Sequence, residues 1–523
     1  MRRWLIPVLA VLAVPPLLAA SREIHTVEVV QVPVYVTRGG TSIAGLTREN
    51  FELYVNGKPH AFEYFDVVDF GALDEAPPGT PRQEPAKVDV RQRRLYVLLF
   101  DLAYSSPKAL ARARVAADGY VDRAGDADAF AVGTYSARQG LHLLVPFTRD
   151  RVAVRRAIQT MKEAAQDDPL HLALAPVERA ELVTPERFAE SADVQKLIND
   201  SAAVQLLADP ARRLIRDQIE TLGEFADRLA PLEGNKHVVL LTSGFDASLF
   251  HGAGPAQTLG RGPMFGPRGA IDRPVRQGSS LGMSDPSITR AAKEMYARFT
   301  RAGVFLDCVD IEGVRESVSS SADSEGLSML ARDTGGQVVR NRNDLGQALQ
   351  TLSDMQRVVY VLGFHAADTG RRENKIEVKL RGVSGVNVTY RPSYSSTVPN
   401  ASTVDALRIA DILENDIPQT GVTTSIAVTG KTVDVAVPAG ELIALGRPAG
   451  AVAEALVYVY SGRKIVAFKD KQIGIDAARA DPAKAVHLVD TFDLPPGRYV
   501  AKVLLRVDGT DALGFARAPM NVE

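Results

Sequence analysis

Three stretches of the chain are apolar at nearly every position: Leu95-Tyr-Val-Leu-Leu-Phe100, His237-Val-Val-Leu-Leu-Thr242 and Val304-Phe-Leu-Asp-Cys-Val309. A strand with water on one face alternates, so continuous runs predict strands covered on both faces, as in a parallel sheet. Around them the apolar period lengthens to that of an amphipathic helix over 107–124, 152–165, 215–229, 287–302, 325–334 and 343–355, with further strands at 129–135, 141–145 and 358–363. Pro107 suits a first helical turn, where its missing N–H is not needed, and Gly335-Gly336 suit a helix end. Strands alternating with helices predict an α/β unit, and its function is expected at the carboxyl ends of the strands.

Outside those helices and buried runs the pattern is β. Residues 25–36 are β-branched and extended, with Pro33 predicting an edge position, and 49–54 and 61–67 give short strands on either side of the hairpin signal Asn56-Gly57. Segments 375–380 and 386–390 close the α/β unit. Short β runs return at 423–428, 432–437, 455–460 and 499–507, the last entered through the proline turn of Phe492-Asp-Leu-Pro-Pro-Gly-Arg-Tyr499. The expected organisation is a leader over 1–20, an N-terminal β domain over 21–73, a linker over 74–92, an α/β domain over 93–395 and a C-terminal β-sandwich over 396–523. Segments 166–211, charged and Ala-rich, and 250–285, rich in Gly, Pro and Arg, exceed a minimal α/β unit and read as insertions.

Charge narrows the partners. Lys and Arg (61) nearly cancel Asp and Glu (63), so no basic excess exists to neutralise phosphates, and nucleic acid is not an expected partner. Met-Arg-Arg, an apolar run from Trp4 to Leu18 and then Ala19-Ala20 form a secretory signal peptide. Pro7, Pro15 and Pro16 oppose a stable spanning helix, and the run falls short of the roughly 20 residues such a helix needs. A secreted or periplasmic protein is expected, with no stable membrane span once the leader is removed; a retained leader would instead be an anchor. Its single cysteine, Cys308, excludes an internal disulfide and sits in a buried run, where a thiol packs and does not react.

Four blocks then stand in a telling order: Gly45-Leu-Thr-Arg-Glu-Asn-Phe-Glu-Leu-Tyr-Val-Asn-Gly-Lys58, Leu98-Leu-Phe-Asp-Leu-Ala-Tyr-Ser105, Val239-Leu-Leu-Thr-Ser-Gly-Phe-Asp246, and Leu330-Ala-Arg-Asp-Thr-Gly-Gly336 with Asn343-Asp-Leu345 and Tyr360-Val-Leu-Gly-Phe364. Together they resemble exported bacterial proteins with a von Willebrand factor A-related domain, of the type abundant in acidobacteria. The resemblance covers residues 25–395 and implies a doubly wound, mostly parallel sheet, with the blocks at 98 and 239 as its first and fourth strands. It also implies a metal-ion-dependent adhesion site: Asp-x-Ser-x-Ser after the first strand, a Thr from a second loop and an Asp after the fourth strand. A hard cation such as Mg²⁺ wants about six oxygens and keeps an open position for a partner's acidic side chain.

This chain departs from that pattern. Its first loop offers Asp101, Ala103 and Ser105, so the middle hydroxyl is missing, and Ser243 stands where the family has Asp, with Asp246 as a displaced acid. The Thr has no assigned position. The resemblance therefore implies adhesion or scaffolding through a protein partner at a degenerate site of Asp101, Ser105, Ser243 and Asp246, with no cofactor or weakly bound Mg²⁺. Asp101 and Ser105 have a second reading, as caps that satisfy backbone groups where a strand turns into a helix.

Other motifs carry less. Gly278-Ser-Ser-Leu-Gly282 matches a nucleophile elbow but lacks the strand before it, and 260–269 lacks the Lys-Ser/Thr of a phosphate loop. His142, His171, His237 and His251 stand singly without zinc spacing, and Asp122, Asp126 and Asp128 do not follow calcium-loop spacing. A non-enzymatic binder is expected; the alternatives are a hydrolase with another site and a purely structural envelope component.

Overall fold

The computed structural model describes residues 29–71, 93–137, 139–161, 201–244, 286–314, 320–366, 373–395, 406–446 and 450–523. The expected leader, the linker and the glycine motifs at 260–269 and 278–282 lie outside the described residues. Within them the architecture is mixed α/β, with several sheets and eight α-helices.

The chain opens with β1 (Val29–Arg38), β2 (Thr41–Ser42), β3 (Phe51–Val55), β4 (Lys58–His60) and β5 (Tyr64–Asp69). Asn56 and Gly57 turn β3 into β4 with φ of 52° and 77°, the left-handed geometry their side chains tolerate. The α/β unit follows as β6 (Arg94–Asp101), α1 (Pro107–Asp122), β7 (Asp128–Ser136), β8 (Gly140–Thr148), α2 (Arg151–Thr160) and α3 (Ser201–Leu229). It continues through β9 (Asn235–Thr242), α4 (Pro286–Ala302), β10 (Val304–Asp310), α5 (Ser320–Thr334), β11 (Val338–Val339) and α6 (Leu345–Met355).

Six strands of this unit form one sheet in the order β11-β10-β9-β6-β7-β8, parallel throughout except for β8, which runs antiparallel to β7. The continuous apolar runs now have their cause. Leu95, Val97 and Leu99 enter a core beneath α3, α4 and α5, while Tyr96, Leu98 and Phe100 enter another beneath α1, α2 and α6. Successive side chains point to opposite faces, and here both faces carry helices. From β6 the chain passes to α1 on one face, and α4, which follows β9, lies on the other, so the crevice between these neighbouring strands is the topological switch point.

The next strands overturn an expectation. β12 (Val358–His365), β13 (Glu373–Leu380), β14 (Asn387–Tyr390) and β15 (Ser393–Ser395) do not extend the α/β sheet. They interleave with the N-terminal strands in two antiparallel sheets, β14-β1-β12-β5 with β2 beside β1, and β15-β13-β3-β4. Residues 29–69 therefore form no separate N-terminal domain. A buried apolar run reads alike in parallel and antiparallel sheets, which is why 358–363 passed for the last α/β strand. Pro33 likewise lies on an inner strand, not an edge: it pairs with Val361, but β14 joins β1 only from Val34, so nothing on that side needs its missing N–H.

β1 is buried on both faces. Val30, Val32, Val34 and Val36 face the partner sheet, and Tyr35 faces the α/β unit. There Tyr35 Oη lies 2.9 Å from His237 Nε2, and His237 Nδ1 lies 2.7 Å from Asp307 Oδ2. The Gln356 amide donates to Asp307 Oδ2 at 2.8 Å, and Gln337 N donates to Oδ1 at 2.7 Å. Alongside, the buried Arg94 guanidinium forms a two-point pair with Asp128 and covers the Phe70 ring. Every member of this network is closed to water, so it joins two layers and offers no reactive surface.

The C-terminal part comprises α7 (Ala406–Asn415), β16 (Ser425–Thr429), β17 (Thr432–Pro438), α8 (Ala439–Leu445), β18 (Gly450–Ser461), β19 (Lys464–Asp476), β20 (Ala485–Thr491), β21 (Gly497–Val507) and β22 (Leu513–Val522). Sheets β16-β17-β20 and β19-β18-β21-β22 enclose one apolar core. Helices α7 and α8 and the long strand β19 have no counterpart in the β runs read from the sequence. α7 is the joint to the α/β unit. Its Ile412 and Leu413 pack on Leu456 and Leu504 of the four-stranded sheet, and its Asp411 takes the buried Arg93 guanidinium on both oxygens.

Candidate functional site

The carboxyl ends of β6, β9 and β10 meet at the switch point. Asp101 closes β6 and is fully buried. Its Oδ1 accepts from the main-chain N–H groups of Ala103 (3.0 Å) and Tyr104 (3.2 Å), which bends the chain toward α1. Its Oδ2 accepts the Thr242 hydroxyl at 2.6 Å, and the side chain of Gln218 from α3 also hydrogen-bonds to it. Burial pushes the Asp101 carboxyl above its ordinary pKa, against the opposing pull of those donors. Thr242 Oγ1 in turn accepts Gly244 N at 3.0 Å. Asp101 thus ties β6 to β9 at the point where the sheet would otherwise splay.

A hydroxyl-rich rim surrounds this joint. Ser105 Oγ accepts Ser243 N at 3.2 Å, and Ser106 caps α1 by accepting Ala109 N at 3.2 Å. Ser243 donates its hydroxyl to Glu312 Oε2 at 2.9 Å, and the Ser106 hydroxyl reaches the same oxygen at 3.4 Å. Glu312 is held in place by its own backbone. Its N–H donates to Asp310 Oδ1 at 3.0 Å, and the Arg112 guanidinium donates to the carbonyls of Ile311 (2.8 Å) and Glu312 (2.9 Å). Gly313 follows at φ 89°, a left-handed turn beside Asn343.

Of the residues expected from the sequence, Asp101, Ser105 and Ser243 come together here, and Asp246 lies outside the described residues. Thr242, Gln218 and Glu312 were not expected. Thr242 reads as the last residue of a strand, Gln218 as one more helix position, and Glu312 comes from the loop after β10, where the family resemblance supplies no ligand. The arrangement fits a resident Mg²⁺ poorly. Both Asp101 oxygens already accept protein donors, whereas a hard divalent ion wants about six oxygen ligands of its own. Among the described residues, no group of three or more His, Cys, Asp or Glu side chains is placed to hold a metal ion.

β8 descends antiparallel and α2 returns, so the chain leaves the described residues after Met161 on the carboxyl side and rejoins it at Ser201. It leaves again after Gly244, two residues past β9, and rejoins at Pro286. Of the segments expected as insertions, 201–211 belong to α3, and 166–200 and 250–285 lie outside the described residues.

No protein-family model matches the chain, and no curated protein does. Solved structures with a distant likeness include an aerotolerance-related membrane protein from Bacteroides fragilis (10% identity, TM-score 0.27) and the conserved hypothetical protein BatB from Bacteroides thetaiotaomicron (12% identity, TM-score 0.25). Each match covers 51% of this chain and 99% of the other. An uncharacterized membrane spanning protein from Vibrio fischeri aligns at 16% identity with a TM-score of 0.13, covering 51% of this chain and all (100%) of its own. Among the described residues of the present chain, no helix is long and apolar enough to cross a membrane.

Proposed function

We propose that this chain is an extracytoplasmic recognition protein that docks a protein partner on the carboxyl end of a von Willebrand factor A-like domain, without a metal ion and without catalysis. The observation that carries this reading is the engagement of Asp101. The carboxylate that would anchor a cation is instead bonded to Ala103, Tyr104, Thr242 and Gln218. The strand order, with its antiparallel edge strand β8 and helices on both faces, supports the A-like reading. Open α/β sheets bind at the switch point, and here that crevice is rimmed by Ser106, Ser243 and Glu312, all at least partly exposed. Since fold alone does not fix function, the rim carries the argument.

Two measurements test it. Calorimetric titration of the full chain with Mg²⁺, Mn²⁺ and Ca²⁺ is expected to give no saturable heat; saturable binding abolished by Asp101→Ala would restore the metal site and overturn the metal-free reading. A photo-crosslinking side chain at Val314, 55% exposed beside Glu312, is expected to capture one defined partner in envelope extracts with or without chelator. The same group at Val489 of the C-terminal part, 52% exposed, is the control. Capture at Val489 with none at Val314 would place recognition elsewhere.

A further inference from the structure

The rim of the switch point carries one carboxylate that no protein cation among the described residues neutralises. Glu312 Oε2 accepts two serine hydroxyls, while its Oε1 has no hydrogen-bond partner and the carboxylate no cation among the described residues. The Arg112 guanidinium makes no ion pair with it: Nη2 donates to the main-chain carbonyls of Ile311 and Glu312, and the buried Nε has no hydrogen-bond partner among the described residues. On the other face of the sheet, Gln218 is 2% exposed and hydrogen-bonds to Asp101, yet its Oε1 has no partner among the described residues. Asp101, between them, accepts and cannot donate when ionised. Glu312 Oε1 is thus the open acceptor at the mouth of the crevice, Gln218 Oε1 is buried on the far side of the sheet, and the carboxylate between them is already satisfied.

A carboxylate oxygen at a crevice mouth with no protein donor pairs best with N–H groups that carry positive charge, so what fills this crevice brings both. A divalent cation would also satisfy acceptors. Here, though, the Asp101 oxygens that would anchor it are already taken by protein donors. A metal-dependent adhesion site receives an acidic side chain through its cation; with the cation's role taken by protein donors and a carboxylate at the rim, the preferred charge on the partner reverses. We propose that the crevice receives a basic side chain, an arginine or lysine of the partner protein, with Glu312 as its counter-ion. This rests on the partner-binding reading above. The exposed Val314 next to Glu312 offers apolar contact for the stem of such a side chain.

The test uses defined peptides, so that it does not depend on finding the partner. A fluorinated label is attached to Val314→Cys in the full chain, where the native Cys308 is buried and stays unlabelled. The label is followed by ¹⁹F NMR during titration with Gly-Ser-Arg-Ser-Gly and with peptides carrying citrulline or glutamate at the centre. The arginine peptide is expected to bind about tenfold more tightly than its neutral citrulline counterpart, one charge-assisted contact's worth. Glu312→Gln is expected to erase that preference, with unchanged thermal unfolding showing that the fold is intact. Equal binding of arginine and citrulline peptides, an unaltered preference in Glu312→Gln, or tighter binding of the glutamate peptide upon addition of Mg²⁺ would each overturn the proposal. Binding of none of the three would also overturn it, while crosslinking at Val314 decides the partner-binding reading separately.

Discussion

Thr242 donates its hydroxyl to Asp101 at 2.6 Å across 141 positions of chain, and this bond fastens the two central strands of the α/β sheet at their carboxyl ends. Asp101→Ala leaves that hydroxyl and two main-chain N–H groups without an acceptor and is expected to cost about 2–4 kcal/mol in urea unfolding. Asp101→Asn retains an acceptor and costs less. The two also differ with pH. Burial raises the folded-state pKa of Asp101 above its unfolded value, so the folded chain holds that proton more tightly, and its contribution is largest below the unfolded pKa and declines as pH rises toward the folded one. The advantage of wild type over Asp101→Asn is therefore expected to be greater at pH 4 than at pH 7. A constant gap would mean that Asp101 does not titrate as described.

Lys236 shows the opposite sign. Its Nζ donates to the carbonyls of Ala230 (3.1 Å) and Leu232 (3.0 Å) just beyond α3, and burial, with Arg391 and Arg93 nearby, lowers its pKa to about 7. A base with a lowered folded pKa binds more protons when unfolded, so stability rises with pH across the window from about 7 to the ordinary lysine value. The slope is at most about 1.4 kcal/mol per pH unit. Wild type is expected to gain on Lys236→Met between pH 7 and pH 9; parallel curves would refute the shift.

Tyr35, His237, Asp307 and Gln356 form the polar bolt between the β layer and the α/β unit. Tyr35→Phe removes one partner of His237 and is expected to cost about 1–2 kcal/mol, whereas Asp307→Ala orphans three donors and costs about 3–5 kcal/mol. Because strands from both ends of residues 29–395 share the layer, both variants are expected to unfold in one transition followed alike by circular dichroism and tyrosine fluorescence. Separate transitions would show that the layer is independent.

Arg93 and Asp411 are both nearly closed to solvent, and their pairing fixes α7 to the α/β unit. Removing one partner of a buried pair strands the other charge, at about 3–5 kcal/mol, while replacing both by apolar residues is nearly neutral. Asp411→Ala is expected to open the region around α7 to limited proteolysis, and Arg93→Met with Asp411→Leu to restore resistance. Persistent cleavage in the double variant would mean that packing by Ile412 and Leu413, and not the ion pair, governs the joint.

The sequence was most readable where burial acts on every position. The runs at 95–100, 237–242 and 304–309 are the inner strands of one sheet because each serves two cores, and Asn56-Gly57 marks its turn because few residue pairs tolerate that backbone. What escaped is what tertiary structure alone decides. The apolar run of 358–365 and the alternation of 373–380 say nothing about whether the neighbour is β9 or β1. Glu312 is an ordinary loop acid until β10 brings it to Ser243, and Gln218 is an ordinary helix residue until α3 sets it beside Asp101. That Asp101 and Ser105 share one site near Ser243 was legible because a strand-to-helix turn holds them within five residues.

The β layer has a consequence for the order in which this chain takes shape. Asn56 Oδ1 accepts from Lys375 N across 319 positions, and β1 finds β12 over a comparable span. A chain emerging amino end first delivers Val30, Val32, Val34 and Val36 long before Leu362 and Phe364 arrive to cover them. Open strand edges with apolar rows invite association with other chains. The six-stranded sheet draws only on residues 94–339, whereas the layer cannot close until residues up to 395 are present to clasp it. Closing it shelters the valine rows and, in the same motion, sets Tyr35 over His237.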